Sequence, residues 1–109
     1  MSTPDALIRS APVFAALGDP TRLSLLARLS EGGAQSISSL STDRTLTRQA
    51  VTKHLHVLEA AGLVTSRRIG RESRYSFRPE AMEGARSYLE TVARQWSEAL
   101  WRLKEFVEE

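Results

Sequence analysis

Cysteine is missing from all 109 residues, and with it go disulfide staples, thiolate metal sites, redox couples and cysteine nucleophiles. Histidine occurs only as His54 and His56, which point apart on a helix and cannot chelate one ion. Neither a glycine-rich phosphate loop nor a paired histidine and carboxylate is present, so no catalytic residue, metal site or cofactor is expected. No apolar run approaches the ~20 residues that span a bilayer, which leaves no membrane partner. The opening Met-Ser-Thr-Pro-Asp lacks the basic start and apolar stretch of a secretory leader, so the cytoplasm is the expected compartment. Aromatics make up 6% of the chain. Tyr75 and Phe77, two apart on a strand, are core anchors rather than a stacking platform, which argues against single-strand nucleic-acid binding.

What is present fits one globular domain, 41% hydrophobic and 26% charged, with a formal charge of only +2. The distribution of charge says more than the total. Residues 1–43 carry a balance of −1 and residues 79–109 a balance of −3. Between them, Arg44, Arg48, Lys53, Arg67, Arg68, Arg71, Arg74 and Arg78 face only Glu59 and Glu72, a balance of +6. A local excess of that size, mostly arginine, is the footprint of a surface that contacts phosphate.

Local patterns place that excess on particular elements. Residues 5–17 form a helical pattern in which Pro12 is placed to break or kink the chain. Asp19-Pro20 starts a helix to about Glu31, because aspartate caps open amides and proline at the first helical position has no amide to lose. Its stripe is Leu23, Leu26, Ala27 and Leu29, with Leu25 nearby, and Gly32-Gly33 ends it. Ser36–Ser41 reads as a short helix and Thr42-Asp43-Arg44-Thr45 as a turn. Thr47 then caps a helix from Arg48 to Ala61, closed by Gly62, with Val51, Leu55 and Leu58 on one buried face. Leu63–Ile69 and Arg74–Arg78 read as two strands around Gly70–Ser73.

Pro79 at a first helical position opens a last helix to about Val107. Ala85, Tyr88, Leu89, Val92, Trp96, Ala99, Leu100, Leu103, Phe106 and Val107 share one stripe of it. At ~40 Å it outruns the ~26 Å span of a domain this size, so half of it needs another chain. Trp101 lies on the far side and is also assigned to an interface. The dimer contacts expected are therefore Tyr88, Val92, Trp96, Leu100, Trp101 and Leu103.

Helix, turn, helix and basic hairpin together suit duplex DNA, whose major groove, about 12 Å wide, admits one helix while a hairpin reaches the flanking backbone. On the second helix Thr47, Arg48, Gln49, Thr52, Lys53, His54 and His56 are the candidate contacts. Arg48 and Lys53 can donate to guanine, Gln49 can pair with adenine, and Thr52 can bond a phosphate or touch a thymine methyl. His54, at the edge of the buried face, is equally placed to be a hydrogen-bonded core histidine or a phosphate contact. Arg67, Arg68, Arg71 and Arg74 on the hairpin would neutralise phosphates.

The stretches Phe14-Ala-Ala-Leu-Gly-Asp-Pro-Thr-Arg-Leu-Ser-Leu-Leu-Ala-Arg-Leu, Gln49-Ala-Val-Thr-Lys-His-Leu-His-Val-Leu-Glu-Ala-Ala-Gly-Leu-Val and Gly70-Arg-Glu-Ser-Arg-Tyr resemble the ArsR-type winged-helix transcriptional regulators. The resemblance implies a mainly α fold with a small β-hairpin: a winged helix-turn-helix at about 36–62, a wing at about 63–78 and a dimerisation helix at about 79–107. It also implies a homodimer joined through its first and last helices, bound to a palindromic operator and repressing nearby genes. Metal-sensing members carry a thiolate motif where this chain has Ser36-Ile-Ser-Ser-Leu, and histidines on the last helix, which has none here. The resemblance is therefore to members that do not sense metals, and no effector is nominated. The alternative is a winged-helix module that binds protein through its last helix and Trp101.

Overall fold

Asp19 folds the first corner of the molecule. Its carboxylate accepts from the backbone amides of Thr21 and Arg22, at 2.8 and 3.1 Å, and starts α2 (Pro20–Gly32). These hydrogen bonds, that from Arg22 above all, hold the Asp19 carboxyl below its ordinary pKa. The guanidinium of Arg22 turns back on α1 (Thr3–Leu17), donating to the carbonyls of Ala16 at 2.6 Å and Ala15 at 3.3 Å. One short corner thus closes the carbonyl end of one helix and the amide end of the next, the two places where a helix lacks internal partners.

The computed structural model describes residues 3–42 and 46–108, with side chains from residue 8 onward. After α2 come β1 (Gln35–Ser36), α3 (Ile37–Ser41), α4 (Arg48–Ala60), β2 (Val64–Ile69), β3 (Glu72–Phe77) and α5 (Glu80–Glu108). The expected turn, Thr42 apart, lies outside the described residues. Pro12 does not divide α1: it sits exposed within the helix, where Ile8, whose carbonyl loses its partner, is exposed as well. α5 begins at Glu80, one residue later than expected, with Pro79 accepting from the amide of Met82 at 2.9 Å.

The sheet has three strands in the order β1-β3-β2, all antiparallel. β2 and β3 pair from Val64↔Phe77 out to Ile69↔Glu72, so the turn between them is only Gly70-Arg71. Gly70 has φ +63, the left-handed backbone that a two-residue turn of this kind asks of its first residue. β1, which residue pattern did not indicate, joins β3 through Gln35↔Tyr75 and Ser36↔Arg74.

Leu25, Leu29, Leu40, Val51, Leu55, Leu58 and Leu63 make the dry centre of the core, with Tyr75 and Val64 closing it from the sheet. Within α2 the buried stripe is Leu25, Leu26 and Leu29. Leu23 and Ala27 are exposed, against expectation, because Leu23 stands roughly 200° around the helix from Leu25. α4 ends in a Schellman turn: the amide of Leu63 bonds the carbonyl of Leu58, that of Gly62 the carbonyl of Glu59, both at 3.0 Å, and Gly62 takes φ +80. Leu58 and Leu63 are both buried, so the turn is locked by the core it leads into.

The first turns of α5 lie on α1. Ala85 is buried, and the rings of Phe14 and Tyr88 meet at 6.2 Å between centroids. Beyond Val92 the helix leaves the body, and the long dimension of the molecule is 67 Å against 31 and 20 Å for the others.

Candidate nucleic-acid interface

The helix pair α3–α4 is anchored by side chains rather than by length. The Ser36 hydroxyl accepts from the amide of Ser39 at 3.1 Å and Thr47 accepts from Ala50 at 3.0 Å, so both helices are capped. Arg28 of α2 spreads its fork over the far end of α3, donating to the carbonyls of Leu40 and Ser39, each at 3.1 Å. A guanidinium suits that place because the final carbonyls of a helix carry partial negative charge. The five-residue α3 is in this way tied to α2.

With Val51, Leu55 and Leu58 inward, α4 presents three other sides. Gln49, Lys53 and His56 stand exposed on the side opposite the core. Arg48, Thr52 and Glu59 line the edge nearer the sheet. Glu59 accepts from the Ser66 hydroxyl of β2 at 2.8 Å, which tethers this edge to the hairpin. His54 occupies the other edge, half-buried, with its Nδ1 3.3 Å from Nη1 of Arg22. Of the two roles open to His54, the geometry displays the hydrogen-bonded one, facing the α1–α2 corner. Thr47 spends a lone pair on its cap. Thr52 donates its hydroxyl proton to the carbonyl of Arg48 at 2.7 Å, so in this rotamer it has no proton for a phosphate.

The hairpin arginines do not form a single row. Strand alternation puts Arg68 and its partner Ser73 on the face that carries buried Tyr75, whereas Arg67 and Arg74 sit opposite one another on the other face. Like charges so paired repel. Glu72 relieves this, with Oε2 3.4 Å from Nε of Arg74. Arg71 sits exposed at the tip. Arg78, at the base of the ribbon, pairs with Glu80 at 3.1 Å. The backbone amide at Glu80 and that arginine hold its carboxyl below the ordinary glutamate range. Tyr75 has its phenol pushed up by burial and by the nearby Glu59 charge, as befits a core anchor beneath the ribbon.

A cleft of about 150 Å³ opens between hairpin tip and helix pair, lined by Ser36, Ile37, Ser38, Arg48, Arg71, Glu72 and Ser73. Of the expected contacts, the structure places Arg48 and Arg71 along this cleft and leaves Gln49, Lys53 and His56 as a separate outward row. The structural arginines Arg22 and Arg28 escaped sequence reading, since their partners lie across turns or on other elements and leave no local signature.

The expected dimer residues are placed unequally. Tyr88 and Val92 are half-buried against the body, whereas Trp96, Leu100 and Leu103 are exposed along one stripe, Leu100 at 59%. Trp101 is 60% exposed and stands roughly 160° around α5 from Ala85, so one flat contact cannot bury both. Lys104 lies over its ring, Nζ 5.3 Å from the centroid.

Known proteins share this arrangement. A family model described as a helix-turn-helix domain matches residues 17–67. The chain is 48% identical to YuzN of Bacillus subtilis, an uncharacterized HTH-type transcriptional regulator, over 54% of this chain and 71% of that protein. It is similar to the structure of an ArsR-like transcriptional regulator from Rhodococcus, with 41% identity, a TM-score of 0.75 and coverage of 91% and 92% of the two chains. It is also similar to the homodimeric winged helix-turn-helix DNA-binding domain Mb0332 from Mycobacterium bovis, a possible ArsR-family regulator, at 27% identity, TM-score 0.66 and coverage of 91% and 93%.

Proposed function

This chain belongs to the ArsR family of helix-turn-helix transcriptional regulators, and from that premise we propose a cytoplasmic homodimer that binds a palindromic DNA operator and represses nearby genes. The observation that carries the reading is the exposed row Gln49, Lys53 and His56 on a capped, tethered helix, flanked by a basic ribbon. That row supplies donors and acceptors suited to base edges in the major groove, and the ribbon supplies charge for the backbone beside it. Residues 36–62 act as the helix-turn-helix, 63–78 as the wing, and the α5 stripe, with α1, as the dimer seam. Homodimeric assembly of a similar domain supports this last step.

A two-fold dimer places its two reading helices on half-sites about 10 bp apart, centre to centre, or a multiple of that. The test is selection of duplexes from a random library, followed by footprinting and a salt titration of the selected duplex. The expected result is a palindrome with that spacing and affinity that falls steeply between about 50 and 200 mM salt. Selection of no duplex, or binding indifferent to salt, would overturn the assignment.

A further inference from the structure

We propose that the cleft between the wing tip and the start of α4 seats a single backbone phosphate, held jointly by Arg48 and Arg71, so that Arg48 clamps the strand instead of reading a base. The inference rests on the DNA-binding reading above and assigns a division of labour within it.

Position argues first. Arg48 is on the sheet-side edge of α4, in line with Thr52 and the tethered Glu59, and not with the outward row Gln49, Lys53 and His56. A side chain on that edge meets the rim of a groove occupied by α4, where phosphates run, and not its floor, where base edges lie. Arg71 reaches the same cleft from the other side, carried on a two-residue turn whose shape Gly70 sets.

Charge argues next. Two arginines along one cleft gather positive charge there that an anion seated between them would offset, and arginine forks match the oxygens of a phosphate. Ser36, Ser38 and Ser73 line the same space, and serine hydroxyls can act as further donors. Glu72 is the acid among the lining residues, and its carboxylate is engaged by Arg74. The cleft therefore suits one phosphate shared between reading helix and wing. Sharing also fixes the wing's position relative to α4 when DNA is bound.

The salt dependence of binding counts phosphates and so tests the sharing. Duplexes selected by the wild-type protein are titrated against wild type, Arg48→Ala, Arg71→Ala and the double variant. The slope of log K against log salt falls by about 0.9 for each phosphate that a subunit no longer neutralises. One shared phosphate predicts that the slope of the double variant falls by no more than about 0.9 per subunit, with strongly non-additive single effects. Arg48→Lys should keep the slope, and library selection by Arg48→Ala should return the wild-type sequence. Two separately held phosphates, with a fall of about 1.8 per subunit and additive effects, would overturn the proposal, as would relaxed base preference in Arg48→Ala. A free phosphate site would show itself differently. Inorganic phosphate at fixed ionic strength would displace duplex from wild type but not from the double variant, while the slope stayed the same in both. That result also overturns the proposal. If wild type selects no duplex at all, the DNA-binding reading itself has failed. Both arginines are exposed, and an unchanged thermal melt confirms that a variant's effect is not unfolding.

Discussion

Replacing Leu100 by alanine tests the α5 seam beyond the point where the helix leaves the body. Leu100 is 59% exposed in the single chain. Full burial of a leucine stabilises by roughly 2 kcal/mol, so covering the exposed share stabilises by about 1.2 kcal/mol per subunit. In a two-fold dimer the residue occurs twice, about 2.4 kcal/mol in all. Alanine retains part of that surface, which leaves a loss of about 2 kcal/mol and a roughly 30-fold rise in the dimer dissociation constant. The helix itself is not weakened, since alanine has the higher helix propensity. Sedimentation equilibrium over a concentration series reads the constant directly. A dissociation constant unchanged within a factor of about two would remove the C-terminal half of the stripe from the seam, whatever the duplex affinity. Trp101→Arg supplies the contrast: lying across the helix from Ala85, it should weaken the dimer less than Leu100→Arg. An equal or larger effect would mean that the partner wraps around α5 and does not lie flat against the stripe.

Other consequences concern reading and stability. Gln49→Ala should relax the base preference at one position of each half-site, costing roughly 1–3 kcal/mol against the preferred base there, as measured by competition among single-substituted duplexes. An equal loss on every sequence would count against a reading role. Arg22→Ala removes charged donors from the carbonyls of Ala15 and Ala16 and the contact with His54. A stability loss of about 2 kcal/mol should lower the melting temperature by about 10 °C at fixed protein concentration, and a loss of only a degree or two would contradict the capping role. Because the folded pKa of Asp19 lies below its ordinary value, its charge stabilises the fold above that ordinary value, and the contribution is lost as the pH falls through the folded pKa. The melting-temperature gap between wild type and Asp19→Asn should therefore shrink in acid; a gap constant with pH would show that the cap works without its charge.

The caps were legible in the residues because capping chemistry is local. Asp19 and Thr47 each satisfy an amide two or three residues away, and such spacings can be seen in a string of letters. The burial of Val51, Leu55 and Leu58 follows from helical periodicity in the same way. Long-range bonds leave no such trace. Arg28 reaches carbonyls eleven and twelve residues away, and β1 is two residues whose pairing with β3 is decided by tertiary approach. Leu23 was misplaced because periodicity names a face without saying which of two overlapping faces meets the core. The exposed row of α4 was legible, whereas the placing of Arg48 and Arg71 along one cleft depends on how the hairpin folds back, and no spacing encodes that.

Those same distinctions change what the basic excess means. Counted from composition, residues 44–78 supply eight positive side chains, but the fold gives the seven among the described residues unequal surroundings. Arg74 and Arg78 lean on Glu72 and Glu80. Such exposed pairs are worth little in stability, yet each lowers the field its arginine projects toward a duplex. Arg67 and Arg68 leave opposite faces of the ribbon, so a wing lying against one strand engages them on different sides. Lys53 stands in the outward row, and Arg48 and Arg71 converge on one cleft. If a phosphate is shared there, the number of ions released on binding must fall short of the number of basic side chains. The salt slope is then set by how the ribbon folds onto the helix pair, and two relatives with equal net charge need not bind DNA with equal sensitivity to salt.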